Sequence, residues 1–173
     1  ASTAARTLNG GSASGWASFG PNRAPRGGDV IEFATGSHGT LTFSNLVGAA
    51  GNPITVRPAM GGLVTLISTS SGFRWNINNC QHLTINGATT NAAASIPISG
   101  APSRCGFKMN GAGNCTAWIK FGMTTRLPKS VTIQYVEIAG SNTTGTCVMY
   151  HDNSGNRMAN FPNQWSEDLV LRY

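Results

Sequence analysis

The chain of 173 residues is 40% apolar and only 10% charged, and 72 of its residues are Gly, Asn, Ser or Thr. This composition excludes a helix bundle or coiled coil, argues against disorder, and favours a single domain of short strands joined by many turns. The net charge of +6 comes from basic residues dispersed from Arg6 to Arg172, and no apolar run is long enough to cross a bilayer, so neither a nucleic-acid-binding face nor a membrane span is expected.

Residues 1–26 show no regular alternation and are expected to form an N-terminal extension or cap. From Asp29 onward, short runs alternate apolar and polar residues, which is the pattern of strands with one buried face. The early runs begin about ten residues apart and are separated by Gly-, Asn- or Ser-containing turns. They are Ile31/Phe33, Leu41/Phe43, Ile54/Val56, Val64/Leu66, Phe73/Trp75/Ile77 and Leu83/Ile85.

The same pattern returns after a looser stretch, residues 88–104. It recurs as Phe107/Met109, Ala117/Ile119/Phe121, Val131/Ile133/Tyr135, Cys147/Met149 and Leu169/Leu171/Tyr173. Three segments, which begin at Leu83, Val131 and Leu169, are variants of one short sequence motif. Equivalent strands that recur along a chain predict a solenoid rather than an antiparallel sandwich, with about six coils of roughly 20 to 25 residues each.

Four segments in this order resemble the N-terminal coils of secreted right-handed parallel β-helix proteins of the pectate-lyase-like superfamily, which includes alginate and chondroitin lyases. They are Gly28–Phe33, Thr40–Phe43, Gly51–Pro58 and Leu83–Gly87. The resemblance covers residues 27–173 and implies an all-β fold, a right-handed parallel β-helix. It also implies an acidic polysaccharide as partner. No cofactor is expected, except Ca²⁺ if the protein is a lyase. Because the matching residues are those that build coils, the resemblance is more specific for fold than for activity.

The two ends of the sequence lead to expectations about export and assembly. The start, Ala1-Ser2-Thr3-Ala4, has no Met and no apolar leader, as expected of a mature exported chain that is secreted or displayed on the cell surface. Tyr173 lies inside an alternating strand, so we expect either a longer β-helix or copies of the chain stacked end to end.

The four cysteines lack the spacing of a zinc site, and no metal site is expected from them. Cys105 and Cys115 flank a short excursion that a disulfide could close, whereas Cys80 and Cys147 lie inside apolar patterns. All four are disulfide candidates, and the alternative is that they are buried thiols. Asn114 and Asn142 begin Asn-x-Thr triplets and are candidate glycosylation sites.

Six residues are candidates for glycan binding or for a subunit interface. Alternation places some of them on an outward strand face, where a cation or an indole ring could contact a sugar, and places others at a strand end. They are Trp118, Lys120, Lys108, Tyr150, His151 and Arg172. The alternative is that these are ordinary solvent-exposed side chains. Trp75 shares the parity of Phe73 and Ile77 and is expected in the core.

Two functions are compatible with this pattern. The six acidic residues are scattered, so neither a calcium cluster nor a carboxylate pair is evident. The sequence therefore favours an extracellular structural, filament-forming or glycan-binding β-helix without a complete catalytic set. The alternative is the N-terminal part of a polysaccharide lyase or glycoside hydrolase that acts on an acidic polysaccharide.

Overall fold

The computed structural model of the chain describes residues 6–10, 23–67, 73–94, 104–111, 117–123, 126, 128–140, 146–152 and 167–172, and for strands β1, β15 and β16 it describes the backbone alone. The elements within these ranges are all strands. They are β1 (Arg6–Asn9), β2 (Val30–Phe33), β3 (Gly36–His38), β4 (Leu41–Ser44), β5 (Ile54–Pro58), β6 (Val64–Ile67), β7 (Phe73–Asn78), β8 (Gln81–Asn86), β9 (Ala88–Thr89), β10 (Arg104–Cys105), β11 (Phe107–Gly111), β12 (Ala117–Met123), β13 (Lys129–Gln134), β14 (Val136–Gly140), β15 (Thr146–Asp152) and β16 (Glu167–Arg172). The expected all-β class is confirmed. Among the residues described, no helix is long and apolar enough to span a membrane.

The strands form three parallel sheets that the chain visits in a fixed order. Sheet 1 contains β2, β5, β8, β13 and β16, sheet 2 contains β3, β6, β11 and β14, and sheet 3 contains β1, β4, β7, β12 and β15. From β2 onward the chain passes through sheets 1, 2 and 3 and then repeats the cycle, and the short antiparallel pair β9–β10 lies within one cycle. Each strand therefore pairs with the strand that occupies its place in the neighbouring cycle.

The spacing between registered partners is uneven. In sheet 1, Val30 pairs with Thr55, Ile54 with Leu83, Leu83 with Val131, and Val131 with Leu169, so partners are 25, 29, 48 and 38 residues apart. The sequence predicts a nearly constant spacing and about six coils, whereas the described strands stack five deep in sheets 1 and 3 and four deep in sheet 2. The longer cycles arise because segments such as β9–β10 are inserted between strands that still pair in register.

The inner faces of the three sheets enclose one apolar core. Most of the alternating residues predicted as buried are confirmed in the core: Ile31/Phe33, Leu41/Phe43, Ile54/Val56, Val64/Leu66, Leu83/Ile85, Phe107/Met109, Ile119/Phe121 and Val131/Ile133. Tyr135, predicted in one row with Val131 and Ile133, is only partly buried, because the chain leaves β13 there with a left-handed backbone, φ 57°. Trp75 is fully buried, as predicted, and its ring meets Phe43 and Phe107 edge to face at centroid distances of 6.0 and 5.4 Å. These contacts join sheet 3 to sheet 2 through the core.

The predicted pair Cys147/Met149 lies on a strand that is described by its backbone alone. In β15 the register aligns Val148 with Ile119, Met149 with Lys120 and Tyr150 with Phe121. Which side chains of this strand are buried therefore stays a prediction. The sequence Thr-Cys-Val-Met-Tyr is apolar at both parities, so alternation alone could not choose between them.

Stacked asparagines form one corner between sheets 3 and 1. Asn45 and Asn79 both have a left-handed backbone, with φ of 55° and 52°, and Asn79 Nδ2 donates a hydrogen bond to Asn45 Oδ1 at 3.3 Å. Asn tolerates this conformation better than most residues, and its amide can both donate and accept. The same residue type therefore turns the chain at the same place in two successive cycles.

Candidate functional site

The predicted binding residues are distributed over all three parallel sheets. Four of them, Trp118, Lys120, Tyr150 and His151, lie on the paired strands β12 and β15 of sheet 3. Lys108 lies on β11 in sheet 2, and Arg172, of which only the backbone is described, lies on β16 in sheet 1. The three cationic residues therefore belong to strands of three different sheets.

Lys108 lies on the outer face of sheet 2, where it forms an ion pair. Its Nζ lies 3.0 Å from Glu137 Oε1, and both side chains are partly buried. The two residues are also registered partners on β11 and β14. The cation is therefore engaged by a neighbouring strand, which leaves it less able to neutralise a uronate.

Lys120 takes the predicted outward parity but is not exposed to solvent. Its neighbours Ile119 and Phe121 face the core, and Lys120 itself is only 8% exposed. Burial lowers the pKa of its ammonium group. Exposure of this cation in a groove was the expectation, and it is wrong because the outer face of sheet 3 is covered at this position.

Trp118, Tyr150 and His151 lie on strands whose backbones are described, but their side chains fall outside the described part. Tyr150 and His151 were expected to follow a strand, and this expectation is wrong: β15 includes both, because its pairing with β12 extends to Met123 and Asp152. Their register partners are Phe121 and Gly122. The binding role of these three residues remains a prediction.

Cys80 and Cys105 are buried free thiols in this structure. Burial raises the pKa of Cys80 to about 12, and its Sγ donates a hydrogen bond to the carbonyl oxygen of Asn78 at 3.2 Å. Burial, and secondarily the charge of Glu137, also raises the pKa of Cys105. Neither thiol is therefore activated as a nucleophile. Cys115, Asn114 and Asn142 lie outside the described residues, and Cys147 is described by its backbone on β15 alone.

The three carboxylates whose side chains are described all form ion pairs. Asp29 accepts hydrogen bonds from Arg23 Nη1 and Nη2 at 2.7 and 3.0 Å, Glu32 Oε1 accepts from Arg57, and Glu137 contacts Lys108. Within the described part of the chain, no three His, Cys, Asp or Glu side chains group in a way that could hold a metal ion. These carboxylates are arranged as structural partners between turns and strands.

The Asp29–Arg23 pair gives the fold a pH-dependent contact. The hydrogen bonds from Arg23, and a further one from the Arg26 backbone N–H at 2.8 Å, lower the pKa of Asp29. A lowered folded-state pKa stabilises the fold above the unfolded-state pKa of about 3.9, and this contribution is lost as the pH falls through the folded-state value. We therefore expect Asp29→Asn to unfold at lower urea concentration than the wild type at neutral pH, with a smaller difference at about pH 3.

The matched control for Asp29→Asn is Glu32→Gln. This substitution breaks the ion pair between Glu32 and Arg57, whose side chains are 45% and 51% exposed, respectively. It is expected to lower the stability less than Asp29→Asn does, because exposed ion pairs contribute little. A stability difference for Asp29→Asn that did not shrink in acid would contradict the assigned role of the Asp29 charge.

An open cleft of about 240 Å³ lies on the outer face of sheet 1, and we call it the sheet 1 cleft. It is lined by Ala49, Ala50, Gly51, Pro53, His82, Thr84, Ser130 and Thr132. Its floor is formed by the outward threonines of β8 and β13, which are registered partners, and its wall by the loop before β5. Paired backbone hydrogen bonds between Ala49 and Asn52, at 3.0 and 3.1 Å, hold that loop. The cleft is therefore preformed by strands and a fixed turn.

Two lining residues of the cleft have an unusual backbone. His82 and Ser130 occupy equivalent positions, since Gln81 pairs with Lys129 and Leu83 with Val131, and both have φ of 49°. Left-handed conformations are uncommon for residues other than Gly, and such strain concentrates at functional sites. The entry to each strand is thus bent in the same way, which presents the two side chains beside the same cleft.

Sequence reasoning missed the sheet 1 cleft, although one signal was present. The segments Gln81–Ile85 and Lys129–Ile133 contain two copies of the recurring sequence motif. Aligning them places Thr84 with Thr132 and His82 with Ser130. The wall residues, Ala49–Pro53, belong to a turn, and their approach to the strands depends on tertiary folding.

Comparison with known proteins gives no relative from which a site could be transferred. A scan against models of protein families, a search of curated proteins and a search of solved structures each find no match.

Proposed function

We propose that this chain is an extracellular right-handed parallel β-helix, similar in architecture to the pectate-lyase-like proteins, with a glycan-binding or structural role. The observation that carries the proposal is the repeated passage through three parallel sheets with strands in register. A chain that returns to the same three sheets in the same order stacks one coil on the next. Such stacking builds long outer faces of short polar side chains, which suit binding to extended polymers.

The engagement of the three carboxylates whose side chains the structure describes supports a non-catalytic role. Glycosidases need a pair of carboxyl groups on either side of the scissile bond, and lyases need a base beside a neutralised uronate. Asp29, Glu32 and Glu137 are each held by an Arg or Lys. A carboxylate fixed in this way is a poor general base, because its charged form is stabilised by its partner.

The proposal is tested with the purified chain and a panel of soluble glycans. The panel contains acidic polymers (alginate, pectate and chondroitin) and neutral ones (glucan, galactan and mannan). We expect retarded migration in gels that contain a recognised glycan, and no rise in the ultraviolet absorbance that marks an unsaturated uronate. Appearance of that absorbance would replace the proposal with the alternative of a polysaccharide lyase.

Extracellular export is tested separately by expressing the gene in its source cells and assaying the culture medium and the cell surface. We expect the protein in one of these fractions. Its retention inside intact cells would contradict an extracellular role.

A further inference from the structure

We propose that the sheet 1 cleft binds an uncharged sugar residue of a glycan, an inference that rests on the glycan-binding function proposed above. The cleft offers hydroxyl groups from Thr84, Ser130 and Thr132 and the imidazole of His82. Each of these groups can both donate and accept hydrogen bonds, as sugar hydroxyls can. This makes the lining complementary to a polyol rather than to a group that only donates or only accepts.

The lining of the cleft contains no carboxylate, ammonium or guanidinium group. None of the eight residues around the cleft is an Asp, Glu, Lys or Arg. The exposed ion pair Glu32–Arg57 on the same sheet is internally neutralised. A uronate or sulfate placed in the cleft would lose hydration without gaining a fixed cation, and this cost disfavours an acidic sugar there.

The size and shape of the cleft suit one small ring. At about 240 Å³ it falls just below the range of about 300 to 1,000 Å³ that is typical of drug-sized ligands. The methyl and methylene groups of Ala49, Ala50 and Pro53 form one side, against which the C–H face of a sugar ring can pack. The opposite polar floor crosses two adjacent strands, so a longer glycan could continue along the stacking direction of the sheet.

The test compares hydroxyl-deleted variants of the full chain. Thr84→Val and Thr132→Val keep the β-branched shape and remove a hydroxyl group, and the double variant should weaken binding of a neutral oligosaccharide about tenfold if each lost hydrogen bond is worth roughly 0.7 kcal/mol. The matched control is Thr55→Val, which changes the same residue type in the same outward row, one strand beyond the cleft. Isothermal titration with neutral oligosaccharides measures each affinity, and the control should stay within about twofold of the wild type.

A second variant fills the cleft from its exposed wall. Ala50 lies on the exposed loop, so Ala50→Trp should fold normally and abolish binding of the neutral oligosaccharide. Circular dichroism and thermal unfolding verify the fold of every variant. Binding should also persist at high salt, because no charge pair contributes to it, whereas attraction of an acidic polymer to the net charge of +6 is screened.

Three outcomes would overturn the inference, and they separate it from the proposed function. If the wild type binds neutral glycans and both Thr84→Val/Thr132→Val and Ala50→Trp bind equally well, the glycan site lies elsewhere and only the cleft assignment fails. If only acidic glycans bind, the assigned sugar class is wrong although glycan binding stands. If no glycan of either class binds, the proposed glycan-binding function fails together with the inference.

Discussion

Trp75→Ala is expected to lower the free energy of unfolding by about 3 to 5 kcal/mol, and the melting temperature by about 10 °C. The indole is fully buried and contacts Phe43 on the neighbouring strand of its own sheet and Phe107 on sheet 2. Alanine would leave a cavity at the point where two sheets meet. Since whole domains are stable by only about 5 to 15 kcal/mol, this single change should remove a large part of the total. Urea unfolding monitored by far-ultraviolet circular dichroism, which does not use tryptophan fluorescence, measures the loss in free energy of unfolding.

Two further variants isolate the cause of the Trp75 effect. The Nε1 of Trp75 is buried without a hydrogen-bond partner, so Trp75→Phe keeps an aromatic ring, removes an unsatisfied donor and should cost clearly less than Trp75→Ala. Met60 is 99% exposed, and Met60→Ala should leave stability within about 0.5 kcal/mol of the wild type. Equal losses for Trp75→Ala and Met60→Ala would show that the ring contacts do not organise the core.

Gly87→Ala is expected to destabilise the fold by about 3 kcal/mol or more, through steric overlap alone. A Cβ atom at Gly87 would overlap the backbone carbonyl oxygen of Tyr135 on the neighbouring cycle. The backbone cannot move aside easily, because the N–H of Gly87 donates to the carbonyl oxygen of Gln134 at 2.9 Å and its own carbonyl oxygen accepts from Gly106. Chemical denaturation of the purified variant measures the effect, and failure to accumulate as folded protein would be its extreme form.

Gly61→Ala is the matched control because it tests a glycine that is needed for a different reason. Gly61 has φ of +68°, and a Cβ atom there would meet nothing within 4 Å. Its replacement should cost only the strain of a left-handed alanine, about 1 to 2 kcal/mol. A Gly87→Ala variant as stable as Gly61→Ala would contradict the close stacking of neighbouring cycles at this corner.

The core was predictable from the sequence because period-two alternation reports directly which side of a strand is buried. Ile31/Phe33 and Val131/Ile133 lie far apart in the chain, yet each pair could be assigned to the core from its own neighbours. In β15 the rule is not decisive, because Val148 and Met149 are neighbours and both are apolar. Alternation is informative only where polar residues mark the other face.

The positions of candidate binding residues were less predictable because they depend on what covers a sheet from outside. Lys120 has the parity of an outward residue, but it is only 8% exposed, and alternation does not report whether an outward face is covered. Lys108 is outward as expected, and its partner Glu137 could be identified only once the register of β11 and β14 was known. The sheet 1 cleft is formed by two copies of a repeated sequence motif and by a turn. The motif alone does not report that the turn lies against it.

The cyclic order of the three sheets has a consequence for how the protein is made. In the three parallel sheets, registered partners are separated by between 25 and 48 residues, and none joins the beginning of the described chain to its end. A chain that emerges with its N-terminus first, from a ribosome or a secretion pore, therefore always presents a new strand to a partner that has already emerged. Growth can proceed layer by layer in the direction of synthesis, and no pairing between parallel strands of the described chain has to close a loop longer than 48 residues.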